Sequence, residues 1–166
     1  MEELVVNDSR IYSIVVLYDM QTTFLPNALD GITDEDAHNR LNTKANHVAW
    51  LTGSLVQQRY ELANALGIQL NQSAQKLFEN NQGIQDGVTY PSLASFKNDW
   101  ATISPLVRNA LMNVNSEKLD TSFEMMPGMT MTYYELISFI SYREANCIGQ
   151  VALWRRLLGY EAMKYM

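Results

Sequence analysis

The stretch Leu93-Ala-Ser-Phe96-Lys-Asn-Asp-Trp100-Ala-Thr-Ile103-Ser-Pro105-Leu-Val107-Arg-Asn-Ala-Leu111-Met-Asn-Val114 carries its large apolar residues three and four apart throughout. That spacing puts Leu93, Phe96, Trp100, Ile103, Val107, Leu111 and Val114 on one stripe of a helix and leaves polar residues on the other side. Pro105 lies inside it and predicts a kink, because proline has no N–H and its ring clashes with the preceding turn. The same rhythm recurs upstream in Ile11, Val15, Tyr18, Thr22, Leu25 and Leu29. There Asp8 or Ser9 is placed to cap the start, and Pro26 disturbs the last turn.

A polar connection, Gly31 to Asp36, separates that first helix from a second, expected from about Thr43 to Leu66 with Gly67 as its C-terminal stop. Residues 67–90 read as a long crossover rich in Asn, Gln and Gly, with one short helix near Ala74 to Phe78. Residues 115–131 read as irregular and hold Met125, Met126, Met129 and Met131, which suit a pocket mouth, a subunit contact or a packed loop. Thr132 and Glu135 then have the form of a capping box opening a fourth helix that runs to Leu158 and stops at Gly159. Four long helices, one long crossover between the second and third, and no strand pattern predict an all-α fold, a four-helix bundle forming a single domain over 1–166.

Bulk properties narrow the function classes. The chain has 166 residues, 47% of them apolar and 18% charged, which is the make-up of one well-filled globular core. Its net charge of −6 disfavours non-specific attraction to nucleic acid or anionic lipid. No apolar run reaches the roughly 20 residues that span a bilayer. The start Met1-Glu-Glu lacks the positive region of a secretory leader, and a single cysteine, Cys147, forms no internal disulfide. The expectation is a cytoplasmic protein that engages neither membrane nor nucleic acid.

Two segments carry a resemblance. One is Asn46-His-Val-Ala-Trp50-Leu-Thr-Gly53-Ser54-Leu on the second helix. The other is Ser141-Tyr-Arg143-Glu-Ala-Asn-Cys147-Ile-Gly149-Gln150 followed by Val-Ala-Leu-Trp-Arg-Arg-Leu-Leu-Gly159. Together they resemble the DinB-like (YfiT-like) family, whose second helix has an apolar turn, Gly, His and Leu, and whose last helix has His-x-x-x-His before an apolar residue and Gly-Gln. The resemblance runs from the first helix through Gly159. It implies a bundle in which three histidines hold a divalent metal, and for some relatives the transfer of a low-molecular-weight thiol or a hydrolysis. The family name is tied to DNA damage, but the acidic balance argues against direct DNA binding.

In this chain the three ligand positions hold Ser54, Arg143 and Cys147. Neutral serine is a poor ligand, and a permanently protonated guanidinium repels a cation beside it. The expectation is that no metal is bound there and that no cofactor is needed. The alternative is a divalent metal such as zinc or nickel held by an atypical ligand set. His47 lies seven residues before Ser54, about 10 Å along the helix axis, and reads as a packed residue. His38 reads as exposed. Cys147 reads as a small buried hydrophobe, because no histidine is placed to activate it.

Arg143 is the most informative single residue. It either forms a structural salt bridge, with Glu61, Asp19 or Asp99 as candidate partners, or binds a small anionic ligand in a residual pocket. A register shift of one residue would turn Glu144 inward instead. His47, Trp50, Glu61 and Gln150 are the candidate neighbours of that pocket. Trp50, Trp100 and Trp154 read as core or interface residues, and Arg155 and Arg156 as a solvated helix end. Three readings stand together: a metal-free DinB-like bundle with a small-molecule pocket, a metal-dependent transferase or hydrolase with unusual ligands, and a structural or regulatory homodimer. A homodimer is compatible with all three.

Overall fold

Asp8, in extended backbone, accepts a hydrogen bond from the Arg10 amide and opens a 3-10 turn, Ser9–Ile11, that runs directly into α1 (Tyr12–Leu29). A side-chain acceptor at that point satisfies one of the amides a helix start leaves without a partner. The structure, a computed structural model, describes residues 4–165. The stripe of α1 faces inward as its spacing dictates, with Val15, Tyr18, Leu25 and Leu29 buried. A four-residue helix, α2 (Asp34–Ala37), follows with Thr33 as its cap.

The second long helix starts later than the periodicity suggested. α3 is Val48–Ala65, preceded by a turn at 41–42 and a bend over 43–45. Leu41 and Asn42 both take positive φ, which turns the chain sharply. His47 then stays extended, and its ring accepts a hydrogen bond from the Trp50 amide. Gly67 stops the helix at φ +94°, with the Ile68 amide bonded back to the Ala63 carbonyl. That is the left-handed glycine stop, which a side chain would strain.

The crossover that follows holds two 3-10 turns, Gln75–Leu77 and Glu79–Asn81, and sends Phe78 and Tyr90 back into the core. Ser92 caps α4 (Leu93–Asn113), whose helical assignment continues through Pro105. All six predicted stripe residues inside α4 are buried, and Val114 is buried just beyond its end.

Residues 115–131 are not irregular. They form α5 (Ser116–Asp120), then β1 (Ser122–Met126), paired antiparallel with β2 (Met129–Thr132). Pro127 and Gly128 make the two-residue connection, with Gly128 at φ +80°. Proline followed by a left-handed glycine is the chemistry of a tight turn. The chain is therefore predominantly helical with one small hairpin, against the expectation of no strands. The capping box of Thr132 and Glu135 opens α6 (Tyr133–Leu157) as predicted.

The four long helices share one core. α1 packs mainly on α6 and α4, and α3 packs mainly on α4 and α6. Arg155 is not on a solvated face: it is buried and donates to the carbonyls of Ala28, Asp30 and Glu161. Its bonds to Ala28 and Asp30 satisfy orphan carbonyls at the end of α1, which a cation near a helix C-terminus is suited to do, and the bond to Glu161 ties down the segment after α6. Among the described residues, no helix is long and apolar enough to cross a membrane.

Candidate functional site: a cleft between the second and fourth long helices

Ser54, Gln57, Gln58 and Glu61 recur on α3 at three- and four-residue spacing, so they share one helix face. Leu136, Phe139, Ile140 and Arg143 do the same on α6. These two faces line a cleft of about 320 Å³, closed at its edges by Phe78 and Asn81 from the crossover and Met125 from β1. The volume is at the small end of ligand pockets.

Arg143 is half-buried in that cleft. One guanidinium nitrogen donates to Gln58 Oε1 at 2.8 Å and the other to Ser54 Oγ at 2.5 Å. None of its three sequence-predicted partners takes it. Glu61 accepts from Gln57 Nε2 at 2.9 Å, Asp19 pairs with Arg108, and Asp99 binds Ser73. Among the described residues no carboxylate lies within ion-pair distance of Arg143, and its two contacts are neutral.

The structure brings Ser54 and Arg143 into contact, but Cys147 sits one turn further along α6 in the apolar core, outside the cleft. Burial pushes its thiol up, against the smaller opposing pull of Arg143, so the reactive thiolate is disfavoured at neutral pH. Of the remaining candidates, Trp50 and Glu61 line the cleft. Gln150 is exposed on α6, bonded to Asn146, and His47 is a helix cap buried elsewhere.

The positions assigned to metal ligands do not fit a divalent cation. Arg143 sets a guanidinium against the would-be serine ligand and offers no lone pair, and Cys147 lies outside the cleft. Among the described residues, no three His, Cys, Asp or Glu side chains converge to form another set. His47 and His38 do approach each other, with ring centroids 5.2 Å apart. His38, expected to be exposed, is half-buried, its ring bonded to the Asp34 and Tyr90 carbonyls.

The buried charge pair belongs to other residues. Arg59 and Glu144 have side chains 0% and 1% exposed and meet in a bidentate contact with both N–O distances 2.8 Å. The third guanidinium nitrogen donates to Thr22 and Ser104, and the group lies between the Trp100 ring at 3.4 Å and the Tyr18 ring at 3.9 Å. Both Arg143 and Glu144 thus point inward, Arg143 into the cleft and Glu144 into the core. Arg59 was missed, although the sequence holds a signal. It occupies the seam of Leu55 and Leu62, as Glu144 does between Ile140 and Ile148, and a charge on an apolar seam needs a buried partner.

The His47 cap has a pH signature. Burial, with the charges of His38 and Arg40 behind it, holds the ring down at about 4 from an ordinary 6.5. The folded chain therefore excludes a proton that the unfolded chain accepts below pH 6.5. Stability from this group is complete above that pH and is lost as pH falls towards 4. By pH 4.5 the expected loss is at most about 2–3 kcal/mol, since each pH unit below 6.5 contributes up to about 1.4 kcal/mol. His47→Asn keeps a capping acceptor without the titration. Urea unfolding at pH 7 and pH 4.5 should show a smaller pH-dependent loss in this variant than in the parent chain. Equal losses would remove His47 as the cause. In comparisons with known proteins, no family model and no curated protein matches this chain.

Proposed function

We propose that this chain is a four-helix bundle of DinB/YfiT-like type in which an anion-binding pocket stands where relatives hold a metal, and that it binds a small carboxylate- or phosphate-bearing molecule. The observation that carries this reading is Arg143, a cation held, among the described residues, only by neutral Gln58 and Ser54 at the wall of a ligand-sized cleft. A guanidinium in that setting gains from an anion, because charge-assisted bonds are roughly twice as strong as neutral ones. The reading holds for a monomer and for a homodimer alike.

Calorimetric titration with benzoate, phenyl phosphate and inorganic phosphate tests it. At least one should bind the parent chain, and Arg143→Met should weaken that binding at least about tenfold, the equivalent of a lost charge-assisted contact of about 1.5–3 kcal/mol. Because Arg143 has no carboxylate partner among the described residues and is half-buried, the same variant should lose no more than about 1.5–3 kcal/mol of stability, the worth of its bonds to Gln58 and Ser54. Absence of anion binding in the parent chain, or equal binding by Arg143→Met, would remove the reading.

A further inference from the structure

We infer that the cleft is built for a zwitterion, an apolar α-amino acid or the amino-acid end of a small conjugate, with Glu61 receiving the ammonium group. This rests on Arg143 receiving the anion. Among the described residues, Arg143 and Glu61 are the only charged ones lining the cleft, and they carry opposite signs. They do not pair with each other: Arg143 is held by Gln58, and Glu61 by Gln57. Neighbouring glutamines on one helix therefore anchor two opposite charges apart, one half-buried and one at the exposed rim.

The separation suits an amino-acid head. Arg143 is bonded at Ser54 and Gln58, seven and three residues before Glu61, which is about 10 and 5 Å along the axis. These offsets set the two charges at different heights on the face of α3, and two ionic contacts of about 2.8 Å on either side of an N–Cα–C head about 2.5 Å across bridge a gap of that order. The far wall, Leu136, Phe139, Ile140 and Phe78, then faces the ligand's side chain and is apolar. A simple carboxylate would use Arg143 and the apolar wall but leave Glu61 unmatched, with its negative charge opposing the anion's approach.

The test compares L-leucine and L-phenylalanine with their deaminated counterparts, 4-methylpentanoate and 3-phenylpropanoate, by calorimetry. The amino acids should bind at least about tenfold tighter. Glu61→Gln should erase that preference by weakening the amino acids while leaving the deaminated acids unchanged or slightly tighter, and Arg143→Met should weaken all four. If the deaminated acids bind as well as the amino acids and Glu61→Gln changes nothing while Arg143→Met still weakens them, the zwitterion inference falls and the anion site stands. If none of the four binds the parent chain while phenyl phosphate or inorganic phosphate does, the zwitterion inference falls and the anion site stands; if none of these anions binds, or Arg143→Met leaves binding intact, both fall.

Discussion

Glu144→Leu should lower the unfolding free energy by about 3–5 kcal/mol, the usual cost of stranding one member of a buried ion pair. The variant leaves the Arg59 guanidinium in a site with 0% exposure, between Trp100 and Tyr18, with only the hydroxyls of Thr22 and Ser104 to solvate it. Arginine cannot shed its proton to escape that environment. Arg59→Met should cost less, because it leaves a carboxyl that can become neutral by taking up a proton. The double variant should recover most of either loss, since replacing both charges by apolar groups of similar size is often neutral or stabilising. Urea unfolding of the two single variants and the double gives the coupling directly. Against a typical total of about 5–15 kcal/mol, the loss in Glu144→Leu is large. A cost under about 1 kcal/mol would show that water enters the core or that Arg59 turns outward.

This pair marks the boundary of what the sequence discloses. The apolar stripes of α1 and α4 were legible because each large side chain obeyed one period, and every stripe residue except the half-buried Thr22 is buried. The stop at Gly67 and the box at Thr132 and Glu135 were legible because each is local chemistry within a few residues. The partner of Arg143 was not. Candidate acids were chosen by position on predicted helix faces, but which polar groups meet depends on how two helices are turned against each other. That rotation put Arg143 against Gln58 and Ser54, and it brought Glu144 to Arg59, 85 residues earlier in the chain. The hairpin was missed for a different reason. Thr130 and Thr132 favour a strand and alternate with Met129 and Met131, but the run is only four residues long, and Pro127-Gly128, the one strong turn signal, was read as part of a loop. The cleft itself became visible only once Phe78 and Met125, from two connections, were placed over its edges.

Gly53→Ala should destabilise the protein although alanine is the better helix former. In a helix interior the exchange ordinarily gains up to about 1 kcal/mol. A Cβ at Gly53, however, would lie 2.2 Å from Phe78 Cζ, 2.7 Å from Phe78 Cε2 and 2.7 Å from Phe96 Cζ. Phe96 is fully buried in α4 and has no room to yield, so the displacement falls on Phe78, which is held by the crossover and packed at a tilt against Tyr90. Overpacking of this kind costs about 1–3 kcal/mol, and at about 2–4 °C per kcal/mol for a chain of this size the melting temperature should drop by several degrees. Gly149 is the internal control: it lies on an exposed face of α6, and a Cβ there meets nothing within 4 Å. Gly149→Ala should raise the melting temperature. Opposite signs from the same exchange would locate the effect in the contact with Phe78 rather than in helix propensity. Because Phe78 also lines the cleft, Gly53→Ala should weaken anion binding with Arg143 untouched. A destabilised variant that binds normally would mean that the ring moves away from the cleft and not across it.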